Sequence, residues 1–388
     1  MRRGFEWVEC ARSSIEPEVD RCLIGCGSPA CGPRAVQRRS RLNLTPVTPM
    51  STRTHVLLSA DDRTGALEIG GLVADPQIPV PVGPFVESER CCVVDIASRH
   101  LSREGAQSAM AELLARPADH RAHKMDAGLR GNWALEIDVL LRSGFKVAVI
   151  CAFPDAGRVC RDGVVYIHGL PVLDSVFGND PLNRPVSSQP AQVLEHYGIT
   201  GNWVVWDAKD NDEMIANVRR AIAEDRVVIG AAGAVAAVAE EFLQASPADS
   251  VDLPGPAVVM CGSLNDLSRQ QIAAAAVPVQ EIGAELDFSK PVTILTTPIP
   301  AGNITDKQAV DMANSAADAL RDRWEQIGTL MVIGGDTVAA IVGDDPLECL
   351  GTVEPGIPAS LYKGRVLITK GGGIGQPESV RNILGRVD

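Results

Sequence analysis

The chain is poor in positive charge. It carries 36 Lys and Arg against 49 Asp and Glu, a formal net charge of -13 at pH 7. Phosphate backbones are bound by clustered cations, so this balance argues against a nucleic-acid partner and favours a small ligand. No apolar run approaches the roughly 20 residues needed to cross a bilayer. The N-terminal segment also lacks the continuous apolar core of a secretory signal. No membrane partner is expected, and the expected location is the cytoplasm. Two nucleotide-binding signatures are missing as well: no Walker pattern ends in Gly-Lys followed by Ser or Thr, and no GxGxxG follows the first strand. Ordinary P-loop and dinucleotide-binding readings therefore fail. No internal repeat is found, and no low-complexity tract lies beyond the N-terminal arm.

What is present fits a soluble globular protein rich in turns: 45% hydrophobic and 22% charged residues, with 36 Gly and 26 Pro. At 388 residues the chain suits two domains of ordinary size, each with its own core. Residues 1–50 differ in composition from the rest. Their Arg, Pro, Gly and Ser content without an amphipathic period reads as a disordered leader, and Met50 stands just before the first clear strand as an alternative start. This arm holds Cys10, Cys22, Cys26 and Cys31. A zinc site is the competing reading there, weakened by irregular spacing and the lack of His. Cys91, Cys92, Cys151, Cys160, Cys261 and Cys349 sit in or beside apolar runs and read as reduced core residues, none of them a nucleophile.

From His55 onward, short Val- and Ile-rich runs alternate with segments of helical period, the pattern of parallel sheets covered by helices. The expected class is α/β, with two domains, each a mainly parallel sheet flanked by helices, and an active site in the cleft between them. Strands are expected at 55–60, 92–96, 146–151, 203–207 and 227–230, and helices at 102–115 and 212–223. A Pro- and Gly-containing break at 246–256 divides these from strands at 257–261, 292–296, 330–333 and 366–369 and a helix at 305–323. The expected domains are thus 51–250 and 256–388.

Candidate chemistry clusters where strands end. The first strand runs into Asp61, Asp62, Arg63, Thr64 and Gly65, at the C-terminal end of a strand, where ligands of open α/β folds bind. Asp62 or Thr64 acting only as a helix cap is the plainer reading. Residues 123–132, HKMDAGLRGN, bring Lys124, Asp126 and Arg130 together beside Gly131 and Asn132, an anion clamp or a solvated charged turn. A carboxylate held between cations stays ionised and can accept a hydroxyl proton. AFPDAGR ends another strand with Asp155 and Arg158. Farther on, Gly262 and Ser263 close a strand, Gly334, Gly335, Asp336 and Thr337 lead from a strand into a helix, and Lys370 precedes Gly371, Gly372 and Gly373. Glycines there let backbone N–H groups approach phosphates, although each turn alone could be no more than a tight turn.

Taken together, ADDRTGA at 60–66, KMDAGLRGN at 124–132, AFPDAGR at 152–158, CGSL at 261–264, GGDT at 334–337 and TKGGGIG at 369–375 resemble the four-carbon acid sugar kinase family, once grouped as a domain of unknown function. The resemblance covers most of the chain after Met50. It implies a sugar-acid-binding N-terminal domain, a nucleotide-binding C-terminal domain, and transfer of the ATP γ-phosphate to a hydroxyl of an acid such as threonate or erythronate. Carried over, the acid-binding face comprises Asp61, Asp62, Lys124, Asp126, Arg130 and Arg158; Thr64, Gly65, Gly131, Asn132 and Asp155 stand beside it, as does Arg63, a cation where the family usually has an apolar residue. Gly262, Ser263, the Gly334–Thr337 turn and Lys370 with its three glycines would hold ATP, and Mg2+ is expected with the nucleotide. Asp62 is the expected base, with Asp126 as the other catalytic carboxylate.

The chain departs from the family where Ala127 and Gly128 replace two hydroxyl residues, which puts the substrate preference in question. A non-catalytic sugar-acid sensor that keeps the cleft is the alternative. A nicotinamide-dependent oxidoreductase ranks last for want of its fingerprint. A homodimer is the base-rate expectation.

Overall fold

A computed structural model describes residues 54–74, 79–180, 183–243, 250–282, 290–299 and 305–388. The N-terminal arm, its four cysteines and Met50 lie outside the described residues. The chain from Thr52 to Asp388 forms one compact unit. Its first part contains β1 (Val56–Ala60), α1 (Arg63–Val73), β2 (Val80–Gly83), β3 (Cys91–Asp95), α2 (Arg103–Leu114), β4 (His120–Lys124), α3 (Trp133–Arg142) and β5 (Lys146–Ile150). There follow the small strands β6 (Arg158–Arg161), β7 (Val164–Ile167) and β8 (Leu170–Pro171), then α4 (Pro190–His196), β9 (Trp203–Val205), α5 (Asn211–Ala223), β10 (Arg226–Gly230) and α6 (Ala232–Leu243). The second part contains β11 (Ala257–Cys261), α7 (Asp266–Ala274), β12 (Val279–Glu281), β13 (Val292–Thr296), α8 (Asp306–Arg321), β14 (Thr329–Ile333), α9 (Gly335–Val342), β15 (Leu347–Glu354), β16 (Ile357–Tyr362), β17 (Arg365–Lys370) and α10 (Ser379–Leu384).

The main sheet runs in the order β12-β13-β11-β14-β17-β16-β15-β2-β3-β1-β4-β10-β5-β9. Strands from before residue 250 occupy one end and strands from after it the other. The two ends join where β2 pairs antiparallel with β15, Val82 opposite Leu347. Within each end the strands are parallel, apart from the antiparallel β15–β16–β17 stretch. The division at 246–256 is therefore also the place where the sheet changes hands, and we keep the two-domain partition as a proposal. Among the described residues no helix is long and apolar enough to cross a membrane.

Sheet interiors covered by helices on both faces require apolar side chains in both directions, and β1, β3, β11 and β14 are buried at every position. The six described cysteines are buried free thiols. Burial pushes Cys91, Cys151 and Cys349 up to about 12, which leaves them protonated and inert. Strand β4 is the exception to apolar patterning. Its sequence HRAHK announces no strand, yet it lies between β1 and β10, because its backbone completes both ladders.

Helix α1 connects the two ends. It starts where the Asp62 carboxylate accepts the Gly65 amide at 2.8 Å, a standard N-cap. It packs against β2, β15 and β16. The approach is close enough that a Cβ on Gly70 would stand 2.6 Å from Cys349 Sγ and from Val82.

Candidate active site

The strand ends meet over α1. Asp61 and Asp62 follow β1, Arg99 follows β3, Lys124 closes β4 and Asp126 lies just beyond it. Arg99 joins two of these ends: its Nε and Nη2 donate to Asp61 at 2.9 and 2.8 Å, and its Nη1 donates to Asp62 at 2.6 Å. The Arg99 Nη2 also lies 3.6 Å from Asp126. Arg130 holds Asp126 in a fork, with Nε and Nη2 donating at 2.8 and 2.9 Å, and its Nη1 donates to Asp180 at 2.6 Å. Such bidentate pairs fix orientation as well as charge.

The three aspartates differ in what they can still do. Asp61 is fully buried behind Arg99; burial raises its carboxyl, only partly offset by Arg99 and Lys124. Asp126 accepts the Gly128 and Arg130 amides in addition to the Arg130 fork. Burial works against its charge, but Arg99 and Arg130 outweigh it and hold the carboxyl far below the ordinary range. Asp62 has a side chain 25% exposed, with one oxygen capping α1 and the other on Arg99. Burial pushes it up, yet Arg99, Lys124 and the Gly65 amide keep it below the usual carboxylate range. Asp62 is thus ionised and the most exposed of the three carboxylates.

A cavity of about 210 Å3 lies at this junction. Asp62, Thr64, Gly65, Lys124, Asp126, Arg130 and Arg158 line it from one side of the sequence; Gly335, Gly371, Gly372 and Gly373 line it from the other. The Lys124 Nζ donates to the Met125 carbonyl at 3.4 Å and, among the described residues, forms no salt bridge. Arg158 is paired with Glu68 at 3.0 Å, and both reach the same cavity. A neighbouring cavity of about 250 Å3 shares Arg158, Gly373 and Ile374 and adds Asp155 and His168.

On the second side, Gly334 sits at φ 121°, a left-handed region that only glycine adopts without strain, and turns the chain from β14 into α9. A Cβ on Gly335 would lie 3.3 Å from Thr64 Oγ1, so the N-termini of α1 and α9 face each other across the cleft. The Gly371–Gly373 turn closes on Ser263: a Cβ on Gly372 would stand 2.5 Å from its Oγ. Ser268 and Gln271 of α7 brace this turn by donating to the carbonyls of Gly372 and Ile374 at 2.7 and 3.0 Å.

Several expected site residues serve as supports. Arg63 points away from the cleft and donates to the carbonyls of Gly343 and Asp345 at 3.1 and 2.5 Å, because its place on α1 turns it toward the β15 side. Asn132 donates to the carbonyls of Ser98 and Leu101 at 2.8 and 3.0 Å and so holds the loop that carries Arg99, with Gly131 packed against Arg99. Lys370 is fully buried; its Nζ donates to the carbonyls of Gly371, Gly372 and Ile374 at 2.9, 3.4 and 2.9 Å. Burial lowers it to about 8. It shapes the glycine turn from behind. Gly262 and Thr337 pack against each other beneath the turns, Asp336 is exposed, and Asp155 is exposed and accepts from Asn211 at 2.8 Å.

Sequence reasoning missed Arg99, Glu68 and a buried network beneath them. Arg99 follows a strand as the other candidates do and was open to the same rule. Glu68 is the lone acid in the apolar helix RTGALEIGGLV, four residues after Thr64. His123 bridges Ser59 Oγ at 2.8 Å and Glu136 Oε2 at 2.9 Å, and the Ser98 hydroxyl donates to the same carboxylate. All four are nearly or fully buried, so this Ser–His–Glu arrangement props up the neighbours Lys124 and Arg99 and is closed to substrate.

Residues 56–197 match the model of a sugar-binding N-terminal domain. A D-threonate kinase of Salmonella typhimurium is 24% identical, over 85% of this chain and 97% of its own length. A D-erythronate kinase of Heliobacterium modesticaldum is 29% identical over 33% of each chain. These matches support the four-carbon acid sugar kinase family that the motifs resemble. A solved Haemophilus influenzae protein of a family of unknown function shares the fold at TM-score 0.61 and 17% identity, over 85% of this chain and 99% of its own. The N-terminal match covers Asp62, Lys124, Asp126 and Arg158, the charged side of the cleft.

Proposed function

We propose that the protein is an ATP-dependent kinase that phosphorylates a hydroxyl of a small sugar acid of the threonate or erythronate kind. The observation that carries this reading is the meeting of two helix N-termini, α1 and α9, at a cleft edged by Lys124 and a glycine turn. Helix N-termini present unpaired N–H groups and a favourable dipole to phosphate oxygens. The relatives named D-threonate and D-erythronate kinases support the acceptor class.

Phosphoryl transfer asks chiefly for in-line positioning and charge neutralisation. The turn at Gly334–Gly335 and the Gly371–Gly373 turn suit a triphosphate because their backbones are bare of side chains. Lys124 and Arg158 orient an acid carboxylate or the transferring group by charge. Asp62, ionised at neutral pH, accepts the proton of the attacking hydroxyl. Mg2+ arriving with the nucleotide would neutralise phosphate charge.

Purified protein with ATP, Mg2+ and both enantiomers of threonate and erythronate should release ADP in an acid-dependent manner. Nucleotide binding without acid-stimulated ADP release from any sugar acid would replace the kinase with a sensor.

A further inference from the structure

One stretch of the cleft wall carries no polar side chain. Ala127 lines the 210 Å3 cavity, and Gly128 follows it. Atoms of the Phe177 ring and its Cβ stand 2.6 to 2.8 Å from where a Cβ on Gly128 would be. Gly128 does not have a positive φ, so the aromatic side chain and not backbone strain keeps this position bare. Phe177 comes from the turn Val176–Asn179 and lines both cavities, as does Ile374. The guanidinium of Arg130 lies over the Phe177 ring at 4.8 Å while its N–H groups are committed to Asp126 and Asp180. That cation therefore braces the wall and does not reach past it. Polar recognition is left to Asp62, Thr64, Glu68, Lys124 and Arg158.

We infer that Phe177 is a specificity-determining residue, and that the preferred acceptor is a four-carbon hydroxy acid with a methylene or methyl group, and no hydroxyl, on the carbon set against its ring. This rests on the kinase reading and refines its substrate class. A hydroxyl pressed against Ala127 and Phe177 loses its water and gains no partner. A site of this kind disfavours the extra hydroxyl by roughly tenfold to a hundredfold in kcat/KM.

The test compares 2,3-, 2,4- and 3,4-dihydroxybutanoate with threonate and erythronate, by ADP release and, separately, by calorimetric binding. At least one dihydroxy acid should exceed every trihydroxy acid by about tenfold or more. Gly128→Ser alone should lose acid binding because the ring blocks its side chain. Gly128→Ser with Phe177→Ala should bind again and reverse the preference, while Phe177→Leu, which keeps an apolar wall and controls for folding, should preserve it. Equal or better use of the trihydroxy acids by the native protein, or a ratio unmoved in the double variant, overturns the inference and leaves the kinase standing. Preferential binding of a dihydroxy acid without ADP release from any acid would support the apolar wall and sink the kinase reading.

Discussion

The two sides of the cleft solve different problems with different groups. The side built from β1, β3 and β4 uses charged side chains locked in pairs, Arg99 on Asp61 and Asp62, Arg130 on Asp126. The side built from β11, β14 and β17 uses turns whose side chains are absent, with Ser268, Gln271 and Lys370 holding them from behind. Buried charges are costly unless each is matched, so the first side should fail abruptly when one partner is removed. The second side depends on backbone shape, so it should degrade gradually and mainly in nucleotide affinity.

Substitutions can break this contrast, and we order them from the largest expected effect. Asp62→Asn should lower kcat by about 10²–10⁴-fold with little change in nucleotide KM, since it removes the ionised group facing the acceptor but keeps the cap oxygen. Steady-state kinetics in both substrates checks this; full turnover would remove Asp62 from catalysis. Arg99→Met strands the fully buried Asp61 and should cost about 3–5 kcal/mol of stability, read from the denaturant midpoint. Lys370→Met should raise the nucleotide KM roughly tenfold while the acid KM stays near its native value, because the glycine-turn carbonyls lose a charge-assisted donor. An equal rise in both constants would show that the two sides are not separable.

The smallest effect concerns Asp95, at the end of β3 near Arg63. Burial raises its carboxyl to about 6, against the Ala97 amide and with help from Asp62. A carboxyl whose folded pKa is raised favours the native state while protonated, so its contribution is full below the ordinary 3.8 and lost as pH climbs through 6. Asp95→Asn should therefore flatten the pH dependence of stability between 4 and 6 and gain roughly 1–3 kcal/mol at pH 7. Thermal unfolding across that range measures it.

Legibility followed chemistry along the chain. The apolar runs that became β1, β5, β11 and β14 were visible because a strand buried on both faces must be apolar throughout. The turns after them were visible because strand ends and glycines mark ligand sites in open sheets. Strand β4 was not, since HRAHK owes its central place to pairing with β1 and β10 and not to hydrophobicity. Arg63 and Lys370 were legible as cations and misread in direction: helix phase sends one toward β15, and burial folds the other back onto its own turn.

By itself the sequence determined the α/β class, the family resemblance and the segments that converge, because these depend on local pattern and residue type. The tertiary structure alone decided which charge is matched to which. It made Asp126 an anchor and left Asp62 facing the cleft, brought Arg99 and Glu68 into the site, and set Phe177 against Gly128 from a turn some fifty residues away. Pairing and packing across such separations depend on distances of a few ångströms between elements, and one-dimensional pattern does not encode those distances.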